Sequence, residues 1–84
     1  MWTGTQWTGT LAAGASGQWF TFGWPANWHV VWYMIPTTVA AVPELDWSVA
    51  VQRADANNCT YWITVTTRAS AGLSFEGRYA VMSS

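Results

Sequence analysis

Lysine is absent from this chain of 84 residues, and only three arginines, two aspartates and two glutamates charge it, for a net charge of −1. A soluble chain of this length ordinarily carries about a quarter charged residues, roughly twenty, so most of this surface must be uncharged. Arg53, Arg68 and Arg78 are scattered, which leaves no basic face for a phosphate backbone or an anionic bilayer. Nucleic acid is therefore excluded as a partner. The single cysteine, Cys59, excludes an internal disulfide framework and leaves the redox compartment open. No apolar run is long enough for a membrane-spanning helix, and the N-terminus lacks the basic-then-apolar pattern of a signal peptide. Among compartments, an extracellular or cell-surface one is favoured.

Catalytic side chains are equally scarce. Nucleophilic catalysis needs a base beside the nucleophile, and His29 with Cys59 is the one conventional pair, with no third residue spaced to orient the imidazole. A free cysteine more often behaves as a small buried hydrophobe. Glycoside hydrolysis needs two carboxylates across a cleft, and Glu44, Asp46, Asp55 and Glu76 are the whole supply. Glu44 and Asp46 share one face of a strand start, too close to clamp a sugar. One His, one Cys and isolated aspartates do not make a zinc ligand set, and Asp55–Asn58 lacks calcium-loop spacing. Asn58-Cys59-Thr60 matches a glycosylation sequon, informative only in a chain secreted by a eukaryote. The expectation is a non-catalytic protein without metal or cofactor.

Helix formers other than alanine are few, with three Leu and two Ile, whereas there are eight Trp, three Tyr, three Phe, eight Val and eleven Thr. Aromatic and β-branched side chains suit a pleated surface. Apolar positions alternate with period two, broken by Gly, Pro, Asn and Ser clusters, which predicts strands near 6–12, 18–23, 28–37, 45–54, 60–66 and 73–82. Such an all-β chain fits a small antiparallel β-sandwich of about six strands in one domain, with Greek-key or Ig-like connectivity. The Cys–Trp–Cys pattern of true Ig domains is missing. Trp2-Thr3-Gly4-Thr5 recurs as Trp7-Thr8-Gly9-Thr10. A five-residue shift swaps sheet faces, so the repeat reads as local bias. Gly77 falls among inward positions of the last strand, where glycine marks a bulge or a large ring packed across it.

The remaining signal is aromatic. Trp19, Phe20, Phe22, Trp24, Trp28, Trp32 and Tyr33 crowd into fifteen residues. Strands alternate faces, so several of these rings must lie outside the core. About half of the eight tryptophans should fill the interior, Trp47 foremost. Exposed Trp suits the apolar face of a sugar ring, another subunit, or a bilayer interface. Neutral carbohydrate recognition is the favoured reading, with Trp24, Asn27, Trp28, His29, Asn57 and Trp62 as candidate site. A membrane-active oligomer inserting Trp into neutral lipid, and a purely structural self-assembling domain, are the alternatives. The charge deficit predicts self-association. Strand 28–37 is apolar on both faces and is the expected interface, through Val30, Trp32 and Met34.

Overall fold

The computed structural model describes residues 1–84 and consists of strands β1 (Trp2–Leu11), β2 (Ser16–Pro25), β3 (His29–Pro36), β4 (Leu45–Arg53), β5 (Asn58–Thr67) and β6 (Leu73–Ser83). They form two three-stranded antiparallel sheets, ordered β1-β6-β3 (sheet A) and β2-β5-β4 (sheet B). Only β4 and β5 are neighbours both in the chain and in a sheet; every other connection passes from one sheet to the other. The six predicted strands are all present, and the largest boundary change is β1, which begins at Trp2 instead of Gln6.

That change follows from the repeated tetrapeptide. The β1·β6 register shifts between Thr5 and Trp7, so Gln6 is the extra residue of a bulge. The bulge restores the phase that a five-residue step loses. Trp2 and Gly4 then share the inner face with Trp7, Gly9 and Leu11, opposite Val81, Tyr79, Gly77, Phe75 and Leu73. The repeat is thus structural, contrary to the reading as local bias. Each copy places a glycine beneath a ring of β6: a Cβ on Gly4 or on Gly9 would lie 2.7 Å from Tyr79 or Phe75, and one on Gly77 would lie 2.7 Å from Trp7. Gly77 does mark a ring packed across it. Gln6 itself reaches the other sheet, its Nε2 donating to Thr21 Oγ1 at 3.3 Å.

The sheets meet through a core of Trp32, Met34 and Phe75 from sheet A and Cys59, Tyr61, Ile63 and Val65 from sheet B, flanked by Trp7, Trp19 and Trp24. Four of eight tryptophans serve the interior, as the composition suggested. Their identities differ from expectation. Trp32 and Met34 are 6% and 1% exposed, so they are core and not an interface, and Val30 is half-buried beside them. The outward face of β3 is instead Val31, Tyr33 and Ile35, because the register with Ala80, Arg78 and Glu76 turns those side chains away from the core.

Trp47 is the reverse case. Leu45, Trp47, Val49 and Val51 pair with Thr67, Val65, Ile63 and Tyr61, hence point to the inner side as the alternation predicts. Yet Trp47, Val49 and Val51 remain 39%, 37% and 63% exposed. Trp32 of β3 packs on Tyr61 of β5, ring centroids 5.6 Å apart, while the inner row of β4 is left largely open to solvent.

The β4–β5 turn is held by Asp55, whose Oδ1 accepts from the backbone N–H groups of Asn57 (2.7 Å) and Asn58 (2.9 Å). These bonds, with the Asn58 side-chain amide, hold the carboxyl below its ordinary value. A depressed carboxylate supports the folded turn above its unfolded pKa and loses that support as pH falls through the folded one. Hydrogen exchange at the amides of Asn57 and Asn58 should therefore quicken below about pH 4, in excess of the intrinsic rate, and Asp55→Asn should remove that pH dependence.

Candidate functional site

The outward face of sheet B is built by three registers. Ser16, Thr66 and Asp46 form one cross-strand row; Gln18, Thr64 and Ser48 the next; Phe20, Trp62 and Ala50 the third. Thr60 and Gln52 pair beyond them. Asp46 to Gln52 spans about 20 Å of strand. Alternation explains the chemistry: β5 reads Thr-Tyr-Trp-Ile-Thr-Val-Thr from Thr60, and its odd members Tyr61, Ile63 and Val65 enter the core, which sends Trp62 out among threonines.

Three rings stand on this face in a row. Phe20 stacks on Trp62 at 5.1 Å and 29°, and Phe22 continues the stack at 6.3 Å and 27° from Phe20. Phe20 and Phe22 are 59% and 73% exposed. Phe22 shares this face with Phe20 by strict alternation, and it is Trp24 that turns inward, because the register shifts between Thr21 and Trp24, where Gly23 has a φ of +80° that a side-chain-bearing residue rarely adopts.

Polar groups frame the rings. Trp62 Nε1 donates to Gln52 Oε1 at 2.9 Å, which fixes that amide and leaves its NH₂ group as a donor. Gln18 Nε2 donates to Thr64 Oγ1 at 3.4 Å, leaving Gln18 Oε1 as an acceptor. Ser16 and Thr66 hydroxyls are bonded to each other at 2.8 Å. The one charge in these rows, Asp46, is paired with Arg68 at the far end.

The outward face of sheet A differs. It holds a concavity of about 470 Å³ between Thr5, Tyr33, Ile35, Glu76 and Arg78. Tyr33 is its one exposed ring, and Arg78 Nη2 is already bonded to Glu76 Oε1 at 2.7 Å. That ion pair sets the concavity's two charges against each other.

Of the residues expected to bind, Trp24 belongs to the interior. Its ring is 5.2 Å from Tyr79 and 5.3 Å from Trp32, and its Nε1 donates to Thr21 Oγ1 at 3.0 Å. Pro25 forces the turn that follows, and the backbone N–H of Ala26 donates to the Asn57 carbonyl at 2.8 Å. Asn27, Trp28, His29 and Asn57 are thereby gathered at one end of the molecule. There Trp28 packs edge-on against Trp2 at 5.1 Å, and His29 Nδ1 bonds Ser83 Oγ at 2.7 Å. Trp62 is apart from them, on the sheet B face. The sequence shows Phe20 and Phe22 only as part of an aromatic crowd, and it is the pairing of β2 with β5 that sets Phe20 opposite Trp62.

Cys59 is buried opposite Trp24 and Arg53, in sheet B, while His29 is exposed in sheet A, and no hydrogen bond joins them. No three His, Cys, Asp or Glu side chains are grouped as a metal site. No protein-family model matches the chain, and no curated protein or solved structure shows significant similarity to it.

Proposed function

We propose that this chain is a non-catalytic β-sandwich module that recognises neutral carbohydrate on the outward face of sheet B and works as an assembly of copies. The stacked Phe22, Phe20 and Trp62 rings carry this reading. A pyranose has an apolar C–H face that packs on aromatic surface and a rim of hydroxyls that need both donors and acceptors. The Gln52 amide N–H groups supply the first and Gln18 Oε1 the second, on either side of the rings. Uncharged surroundings suit an uncharged ligand, since an unpaired charge beside a bound hydroxyl would be desolvated without a partner. Self-association is supported by eleven exposed large hydrophobic side chains on a chain with seven charges, more apolar display than a solitary soluble domain of this size carries comfortably.

Titration with neutral oligosaccharides, read by tryptophan emission, tests the reading. Saturable quenching or a blue shift is expected, since Trp62 is one of the rings that would be covered. The same titration with zwitterionic lipid vesicles separates the membrane alternative. A shift with vesicles and none with any neutral oligosaccharide would overturn carbohydrate recognition.

A further inference from the structure

We infer that β4 is the seam of a symmetric dimer, in which it pairs antiparallel with β4 of a second copy of this chain. Each sheet has two edge strands, and three of the four are blunted. β1 is interrupted by the bulge at Gln6, β2 shifts register at Thr21/Trp24, and β3 shifts at His29/Val30 and ends on Pro36. Such devices stop an edge from recruiting another strand. β4 has none. It pairs with β5 over nine residues without a shift, contains no proline, and the chain has no lysine to guard it. Its inner row, Trp47, Val49 and Val51, is apolar and exposed.

The occupant that fits this edge is the edge itself. A two-fold axis perpendicular to the sheet makes a strand antiparallel to its own copy and keeps inner side chains on one side. With Val49 on the axis, Trp47 faces Val51 of the second copy, Ser48 faces Ala50 and Asp46 faces Gln52. No like charges oppose one another. The strand carries Asp46 near its start and Arg53 at its end, so the antiparallel arrangement brings the acidic end of one copy to the basic end of the other. A parallel arrangement would align Asp46 with Asp46 and Arg53 with Arg53, which opposes it. Pairing over residues 45–53 closes roughly eight to ten backbone hydrogen bonds that the free edge leaves to water. Two exposed apolar rows then meet at the centre of a six-stranded sheet.

The same axis leaves the outward faces of both B sheets on one side. Two Phe20 stacks would stand about 24 Å apart, five strand spacings, on one continuous surface. This consequence rests on the carbohydrate reading, whereas the seam does not. It makes the natural ligand a repeating glycan, bound bivalently, because linked sites raise apparent affinity without a new contact.

Sedimentation of the native chain, Val49→Lys and Val49→Cys tests the seam. The native chain should run at twice 9.3 kDa. Val49→Lys should run as a monomer with the far-ultraviolet spectrum of the native chain, its dimer dissociation constant raised about a hundredfold or more by a charge in the joined row. Val49→Cys should give a covalent dimer on mild oxidation, while Phe22→Cys, on the outward face, should not. A native monomer at all concentrations overturns both the seam and self-association. A native oligomer that Val49→Lys leaves intact and Val49→Cys does not cross-link overturns the seam alone. The carbohydrate reading fails separately, by absent binding of every neutral oligosaccharide.

Discussion

Phe20→Ala should weaken binding of a neutral oligosaccharide about thirtyfold, and the double variant with Trp62→Ala should abolish measurable binding. Phe20 is the middle ring of the row, so its loss removes its own face and also separates Phe22 from Trp62. Aromatic anchors at the centre of a binding surface commonly cost about 2 kcal/mol or more on truncation, and about 2 kcal/mol is thirtyfold in affinity. Stability should change little, because Phe20 is already 59% exposed. Near-ultraviolet dichroism and thermal unfolding verify this, and a titration reads the affinity. Trp28→Ala is the contrasting variant. If it abolishes binding while Phe20→Ala leaves it intact, the site is the Asn27, Trp28, His29 and Asn57 end of the molecule and not the sheet B face. Trp24→Ala does not serve as a binding test, since a half-buried core ring costs about 3–5 kcal/mol on truncation and the fold goes with it.

Gly77→Ala should be the most destabilising single-methyl change in the chain. Its Cβ would lie 2.7 Å from three atoms of the Trp7 six-membered ring, a rigid group wedged against Trp19 and Trp32 at 6.2 Å and 6.0 Å. Neither ring nor backbone gives way cheaply. Overpacking of this kind costs roughly 1–3 kcal/mol, against a total stability of about 4–12 kcal/mol for a domain of this length. Thermal unfolding should fall by about 4–24 °C, at the 4–8 °C per kcal/mol typical of small domains. Gly14→Ala is the control. Nothing lies within 4 Å of its Cβ, so only its φ of +68° resists substitution, and the expected loss is about 1 kcal/mol. Equal melting temperatures for the two variants would show that the ring does not press on Gly77.

The pairing of glycines with rings also shows how legibility varies along the chain. β5 can be read directly, since Tyr61, Ile63 and Val65 alternate with Trp62, Thr64 and Thr66. β1 departs from its predicted bounds because strict alternation has no place for an extra residue, and the bulge at Gln6 is decided by which residues of β6 it must meet. The alternation that points Trp47 to the inner side is correct. The exposure of Trp47 depends on how much of β4 the opposite sheet covers, which no local pattern encodes. Trp32 and Met34 went the other way: β3 is apolar on both faces, and only its pairing with β6 decides which face is inside. The candidate site shows the same division. Trp62 is a candidate on the sequence alone, but its partnership with Phe20, 42 positions earlier in the chain, exists only once β2 lies beside β5.

Composition and period-two patterning by themselves determined an all-β chain of six strands, low in charge, with more aromatic rings than its interior holds. These properties are additive over residues or local along a strand, so order in three dimensions is not needed to read them. Tertiary structure alone decided which rings are surplus. A side chain's exposure depends on strand register and on how far the opposite sheet extends, and both are set by contacts between segments far apart in the chain.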